Sequence, residues 1–339
     1  MSKGQEKRFR GIEMNARKVR LLTTTAIATI FLCYCTAKQN RTIIRLESEM
    51  NPMKHVNLNN GVKMPILGFG VFQIPASETK QAVLDAIKVG YRHFDTAQSY
   101  ANEKEVGEAI AESGLPREEF FITSKVWLEH YGYEKTRKAV LHSLEVMGLD
   151  YLDLMLLHQP FSDYYGSYRA LEDLYKEGKL RAIGVSNFYP DRLSDLVAFN
   201  EITPQVNQVE THPFNQQIFA QENMIKNNVQ MESWASFAEG RNGIFSHPTL
   251  VAIAEKYGKS TAQIMIRWQV ERGIVCLTKS VKPERMAENI DVFDFNLTDE
   301  DMTAIAELDT KESLFFNHQD PSTVDMFLHL IEQRKNGDN

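Results

Sequence analysis

A recurring order constrains this chain more than any other feature: a short apolar run, a helix-period segment, a glycine, and then the next apolar run. From His55 onward the runs are Ile66–Gly70, Tyr91–Asp95, Phe120–Lys125, Asp153–His158, Arg181–Ser186, Gln205–Gln208, Val229–Ser233 and Ile274–Thr278. Most are rich in Val, Ile, Leu, Phe and Met, as strands covered on both faces must be. Between them, Thr79–Lys88 carries apolar residues at 82, 83, 86 and 87, one face of a helix, and Gly90 ends it. Segments 103–113, 135–147, 168–177, 249–257 and 261–271 repeat the scheme and stop at Gly114, Gly148, Gly178, Gly258 and Gly273. Helix, glycine and strand in repetition is the pattern of βα units around a parallel sheet.

Eight such strands in about 260 residues predict an α/β chain folded as a (β/α)8 TIM barrel. A doubly wound sheet would carry a Gly-x-Gly-x-x-Gly turn after its first strand. The corresponding stretch, Leu67-Gly-Phe-Gly-Val-Phe72, has two glycines and lacks the third. Asn60-Gly61 reads as a hairpin turn, so a small β-hairpin is expected to close the barrel floor. No Pro- or Gly-rich linker interrupts the body, and residues 53–339 read as one domain with a C-terminal tail.

Charge separates the first 52 residues from this body. They hold ten Lys or Arg and four Asp or Glu, which leaves 28 basic and 41 acidic residues for the rest. So acidic a body is a poor match to nucleic acid, whose phosphates need clustered Lys and Arg. Within the first segment, seven basic residues from Lys3 to Arg20 precede the moderately apolar stretch Leu21–Cys35. The order resembles a weak secretory signal, but three threonines interrupt the apolar run and no small-x-small site follows. Fifteen residues are too few to span a bilayer. The segment reads as an N-terminal extension, with Met50 or Met53 as a working start. Cys33 and Cys35 belong to it, which leaves Cys276 alone in the body, as suits a reducing cytoplasm. No His, Cys, Asp and Glu grouping has structural-zinc spacing, so no metal is expected.

In a barrel, chemistry gathers where the strands end. Here the ends carry Asp95 (with Tyr100 just beyond), Lys125, His158, Ser186-Asn187, Asn207-Gln208, Trp234 and Lys279-Ser280. Any one of these could be a solvated terminus, a cap or a packed core residue. Together they have a logic. A free tyrosine is a poor acid–base group at neutral pH, with pKa about 10. A nearby Lys favours its phenolate, a carboxylate can hold that Lys charged, and a His can orient a carbonyl oxygen. Such a set can protonate an oxyanion as a hydride arrives. Paired acids facing each other, as a barrel glycosidase needs, are absent from the strand ends.

From His55 to the C-terminus the sequence resembles the aldo-keto reductases. The resemblance is carried, in order, by Gly90-Tyr-Arg-His-Phe-Asp-Thr-Ala-Gln-Ser-Tyr100, Thr123-Ser-Lys-Val-Trp127, Gly148-Leu-Asp-Tyr-Leu-Asp-Leu with Leu157-His158, Arg181–Phe188, Pro204–Glu210, and Lys279-Ser-Val with Arg285, Glu288 and Asn289. It implies a monomeric, cytoplasmic enzyme that uses NADPH to reduce a small carbonyl compound. Tyr100 would be the proton donor and Lys125 would lower its pKa. Asp95 would pair with Lys125, and His158 would orient the carbonyl. Ser186, Asn187 and Gln208 would bind the nicotinamide carboxamide, and Trp234 would stack on its ring. Lys279, Ser280, Val281 and Arg285 would hold the 2′-phosphate end, with Glu288 and Asn289 on the adenine. Phe72 and Trp127 would line the substrate pocket. The segment Glu232-Ser-Trp-Ala-Ser-Phe is closest to the bacterial 2,5-diketo-D-gluconate reductase branch, with Ser236 where that branch usually has Pro. Small dicarbonyls or sugar-derived diketones are therefore the expected substrates. A non-catalytic, NADPH-binding redox-sensing subunit is the alternative that the same resemblance allows.

Overall fold

The computed structural model describes residues 53–336, so the extension expected over 1–52 lies outside the described residues. The hairpin comes first: β1 (His55–Asn57) pairs antiparallel with β2 (Lys63–Pro65), with Val56 opposite Met64. Its turn is stitched to the amino-terminal side of the barrel. Asn59 Nδ2 donates to the Pro204 and Asn228 carbonyls at 3.0 and 2.9 Å, and Asn60 Nδ2 donates to the Arg181 carbonyl at 2.9 Å. Leu58 and Met64 pack against Phe121, Leu154, Leu156 and Val206, which seals the floor as expected.

Eight parallel strands form the closed barrel: β3 (Leu67–Gly70), β4 (His93–Asp95), β5 (Phe121–Val126), β6 (Leu154–Leu157), β7 (Ile183–Ser186), β8 (Val206–Glu210), β9 (Gln230–Trp234) and β10 (Val275–Thr278). They pair in sequence order, and β10 closes on β3 with Cys276 opposite Leu67. The strands are short because only a few residues can be buried from both sides at once. Gly68 in β3 has a steric reason. A Cβ there would lie 2.5 Å from Leu277 and 2.6 Å from the His93 ring, which fills the barrel interior beside it.

Around the barrel lie α1 (Ala76–Val89), α2 (Glu103–Glu112), α3 (Tyr133–Met147), α4 (Tyr164–Lys176), α5 (Pro190–Phe199) and α6 (Ile218–Lys226), followed by α7 (Pro248–Tyr257), α8 (Thr261–Glu271) and α9 (Pro283–Ile290). Two more helices, α10 (Asp299–Ala306) and α11 (Pro321–Asn336), form the tail. The α1 helix shows how sequence sets these elements. Its Thr79, Ala82, Val83, Ala86 and Ile87 face inward, and Gly90 stops it at φ 118°, where an L side chain would be strained. Full burial of Val83 and Ile87 contributes about 1.5–3 kcal/mol each. The α8 helix starts on a capping box, in which Ser260 accepts from the Gln263 amide and the Gln263 side chain accepts from the Ser260 amide.

Beneath the strands, Asp153 accepts from Arg117 (2.6 Å), Arg181 (2.5 Å) and the Ile122 amide (2.9 Å), which joins three consecutive βα units. The floor is thus made for stability, and the carboxyl ends of the strands are left for chemistry. No helix among the described residues is long and apolar enough to cross a membrane.

Candidate active site at the carboxyl ends of the strands

The four residues expected to act together do meet. Lys125, on β5, is fully buried, and its Nζ donates to Asp95 Oδ1 at 2.6 Å and to the Thr96 carbonyl at 3.1 Å. The same Nζ lies 3.2 Å from Tyr100 Oη and 4.8 Å from the centre of the Tyr100 ring. Strand alternation accounts for this convergence. His93 and Asp95 point into the barrel from β4, Thr123 and Lys125 from β5, and a short 3₁₀ turn over Gln98–Tyr100 swings the phenol back over the strand ends. His158 stands edge-on to Tyr100 at 5.7 Å between ring centres, and its Nδ1 lies 3.4 Å from Ser99 Oγ.

Burial opposes the Lys125 charge, but the Asp95 carboxylate and the Tyr100 oxygen outweigh it, so the ammonium is held above its ordinary range. At Tyr100 burial opposes the Lys125 pull that the sequence suggested. Burial raises the phenol's pKa, and Lys125 pulls it down without offsetting that rise, so Tyr100 keeps its proton. Burial first, and then the Lys125 charge, push His158 well below the usual imidazole range. The cluster therefore offers one protonated phenol, one fixed cation beside it, and one neutral imidazole.

Trp127 and Phe72 flank this centre as expected. Phe72 is exposed and lies 4.9 Å from the Tyr100 ring. Trp127 lies edge-on to His158 at 5.1 Å, and its buried Nε1–H has no partner among the described residues. Trp127 is backed by residues that sequence reasoning did not single out. Phe327 of α11 packs against it at 5.8 Å, the Arg334 guanidinium lies 5.1 Å over its ring, and Arg334 also donates to the Ser99 carbonyl at 2.8 Å. The tail thus covers the Trp127 side of the mouth.

On the other side, Asn187 adopts a left-handed conformation at φ 64°, which asparagine tolerates better than most residues. Its Nδ2 reaches Ser186 Oγ at 3.1 Å and the His158 carbonyl at 3.2 Å, while its Oδ1 accepts from Trp234 Nε1 at 2.8 Å. Gln208 Nε2 donates to Asp95 Oδ2 at 3.0 Å. The Trp234 ring stacks on Phe316 of the tail at 6.3 Å and 25°. Glu210, at the end of β8, anchors this part of the tail by accepting from Ser313 Oγ and the Leu314 amide. Ser236 fixes the loop after β9 in place of the proline ring, donating to the Leu277 carbonyl at 2.7 Å and lying 2.6 Å from Ser233 Oγ.

Lys279 lies at the rim, its Nζ 3.0 Å from Gln73 Oε1 across the mouth, a partner the sequence did not suggest. Ser280 Oγ accepts from the Lys282 amide at 3.0 Å, Val281 is exposed, and Arg285 and Glu288 are exposed on α9. Asn289, the next residue of that helix, is buried. Amide and hydroxyl groups deep in the mouth, with cations at its rim, fit a ligand that carries a carboxamide at one end and a phosphate at the other. Cys276 is buried beneath this wall, and burial pushes its thiol up to about 12, so it is inert core.

The comparisons decide the family. The Aldo/keto reductase family model matches residues 66–242 and 246–310. The chain belongs to the aldo/keto reductase family. It is 44% identical over 273 residues to a morphine 6-dehydrogenase of Pseudomonas putida, covering 75% of this chain and 91% of that one. It is 48% identical over 259 residues to a glyoxal reductase of Bacillus subtilis, covering 76% and 93%. A crystal structure of a Bombyx mori aldo-keto reductase in complex with NADP superposes with a TM-score of 0.75 at 33% identity, covering 81% of this chain and 97% of that one. As a member of this family the protein is an NADP-dependent oxidoreductase that acts on carbonyl compounds. Asp95, Tyr100, Lys125 and His158 gather at the barrel mouth.

Proposed function

We propose that this reductase converts small dicarbonyls, of the glyoxal and methylglyoxal type or sugar-derived diketones such as 2,5-diketo-D-gluconate, to hydroxycarbonyl products, with Tyr100 as the acid. The observation that carries the reading is the Asp95–Lys125–Tyr100 relay, with contacts of 2.6 and 3.2 Å that run from the buried Asp95 and Lys125 to the half-buried Tyr100. NADPH supplies the hydride when bound. This chain's own residues position the carbonyl and move the proton. His158, neutral, donates a hydrogen bond to the carbonyl oxygen, and Trp127 Nε1–H offers a second donor. As negative charge grows on that oxygen, Tyr100 gives up its proton. The resulting phenolate is stabilised by the Lys125 ammonium, which Asp95 keeps in place.

Ser186, Asn187 and Gln208 would hold the carboxamide, with Trp234 against the ring. Lys279, Ser280, Val281 and Arg285 would receive the 2′-phosphate end, with Glu288 and Asn289 on the adenine. Residues 53–339 form the reductase unit in this reading. The acidic body and the lone core thiol support a monomeric cytoplasmic enzyme that binds no nucleic acid. The Phe72 ring against Tyr100, the Trp127 ring against His158, and the resemblance to a glyoxal reductase support the substrate class. The test is NADPH consumption with glyoxal, methylglyoxal and 2,5-diketo-D-gluconate, run beside monofunctional aldehydes and NADH. Preferred turnover of dicarbonyls with NADPH is expected. NADPH binding without turnover of any carbonyl would overturn the proposal.

A further inference from the structure

Beneath the catalytic cluster lies an acid that the mechanism above does not use. Glu232, on β9, is fully buried and stands in register with Gln208 of β8. Gln208 Nε2 lies 2.9 Å from Glu232 Oε2 and 3.0 Å from Asp95 Oδ2, so both amide hydrogens of one side chain point at carboxyl groups. The opposite amide orientation would set its carbonyl oxygen against the Asp95 carboxylate. Gln208 Oε1 therefore faces away from both acids. Alternation along β9 puts Glu232 on the same face as Trp234, two residues on.

We propose that Glu232 is a positioning residue for the cofactor: with Asp95 it clamps the Gln208 amide so that Gln208 Oε1 is presented to the carboxamide N–H of the nicotinamide. The proposal rests on the reading that Gln208 meets that carboxamide. The groups facing Glu232 are His93 and Asp95 from β4, Lys125 from β5 and Gln208 from β8. Lys125 is the only cation among them, and its Nζ bonds Asp95. Burial, and then the Asp95 charge, push Glu232 above the usual carboxyl range, so it keeps its proton. Burial and the Lys125 charge push His93 down to about 3, so its ring is neutral. Glu232 Oε1, which has no hydrogen-bond partner among the described residues, lies 3.6 Å from His93 Nε2. A proton on Oε1 faces that nitrogen and leaves Oε2 to accept from Gln208. The arrangement holds the amide without placing a second bare charge beside Asp95.

The test measures Kd for NADPH, by quenching of protein fluorescence, and for 2′,5′-ADP, which has no nicotinamide, in the full chain. Glu232→Leu is expected to weaken NADPH about ten-fold, as losing one oriented hydrogen bond does. It should leave 2′,5′-ADP unchanged. Glu232→Gln should bind NADPH like wild type, because its carboxamide can accept from Gln208 and donate to His93. In a Gln208→Leu background, Glu232→Leu should add nothing. If Glu232→Leu does not fold, Glu232→Asp, too short to reach Gln208, should show the same selective loss. Equal weakening of NADPH and 2′,5′-ADP, additive effects with Gln208→Leu, or unchanged NADPH binding in Glu232→Leu would overturn the proposal. A wild-type protein that fails to bind NADPH at all would sink the cofactor reading itself.

Discussion

Replacing Lys125 with Met separates the structural work of the buried cation from its chemical work. The stem's shape is largely kept, but Asp95 loses its ion pair at 2.6 Å and retains only the Gln208 amide at 3.0 Å. A buried charge stripped of its partner costs about 3–5 kcal/mol. At about 2–4 °C per kcal/mol for a domain of this size, Tm is expected to fall by roughly 6–20 °C. The chemical cost is separate. Two unit charges 3.2 Å apart, the Lys125–Tyr100 separation, interact by about 5 kcal/mol at an effective dielectric of about 20. If half of the phenolate charge has developed at the transition state, kcat falls by about 10²-fold. Thermal melts and NADPH-consumption assays read the two effects independently. Adding Asp95→Asn removes the stranded charge, so the double variant should regain most of the lost Tm and none of the lost kcat. A single variant with wild-type kcat, or a double variant that melts no higher than the single one, would refute this reasoning.

Three further predictions test other parts of the molecule. Asp153→Asn, at the barrel floor, weakens contacts to Arg117 and Arg181 and should cost about 2 kcal/mol, discounted because both arginines reach solvent. Its kcat should equal wild type, and a fall in kcat at unchanged Tm would contradict the division between floor and mouth. Arg285→Ala should raise Kd for NADPH about ten-fold and leave NADH unaffected, because only the former carries a 2′-phosphate. Equal losses for the two cofactors would place Arg285 elsewhere. Burial pushes His318 down to about 4 and His93 to about 3, so both are neutral in the fold, whereas the unfolded chain takes up their protons below about 6.5. Stability is therefore fully present above about pH 6.5 and is lost as pH falls toward 4, by up to about 1.4 kcal/mol per pH unit for each group. His318→Gln should flatten this slope, and an unchanged slope in denaturant melts would contradict the assignment.

The barrel could be read from the sequence because its strands are buried on both faces and its helices stop at glycines. Each apolar run proved to lie within two residues of a strand boundary. The α5 and α6 helices gave no such signal, since they bury only Leu193 and Leu196, and Ala220 and Met224. The convergence of the candidate set was readable because a lysine or a histidine at a buried strand end is chemically conspicuous. What surrounds it was not, because those contacts cross the barrel. Gln208 meets Asp95 from 113 residues away, and Lys279 meets Gln73 from 206 residues away. Local pattern carries no record of such pairs. For Glu232 a signal was present: an acid on the same strand face as Trp234 cannot be solvated in a filled barrel. The direction of the Tyr100 shift depends on how deeply the phenol is buried, which spacing does not encode.

The most direct test of the central claim is Tyr100→Phe, assayed with methylglyoxal for turnover and by fluorescence for NADPH binding. The account predicts unchanged NADPH affinity and a loss of kcat of at least about 10²-fold, the worth of a positioned general acid. Turnover that survives without the phenol's hydroxyl would contradict it.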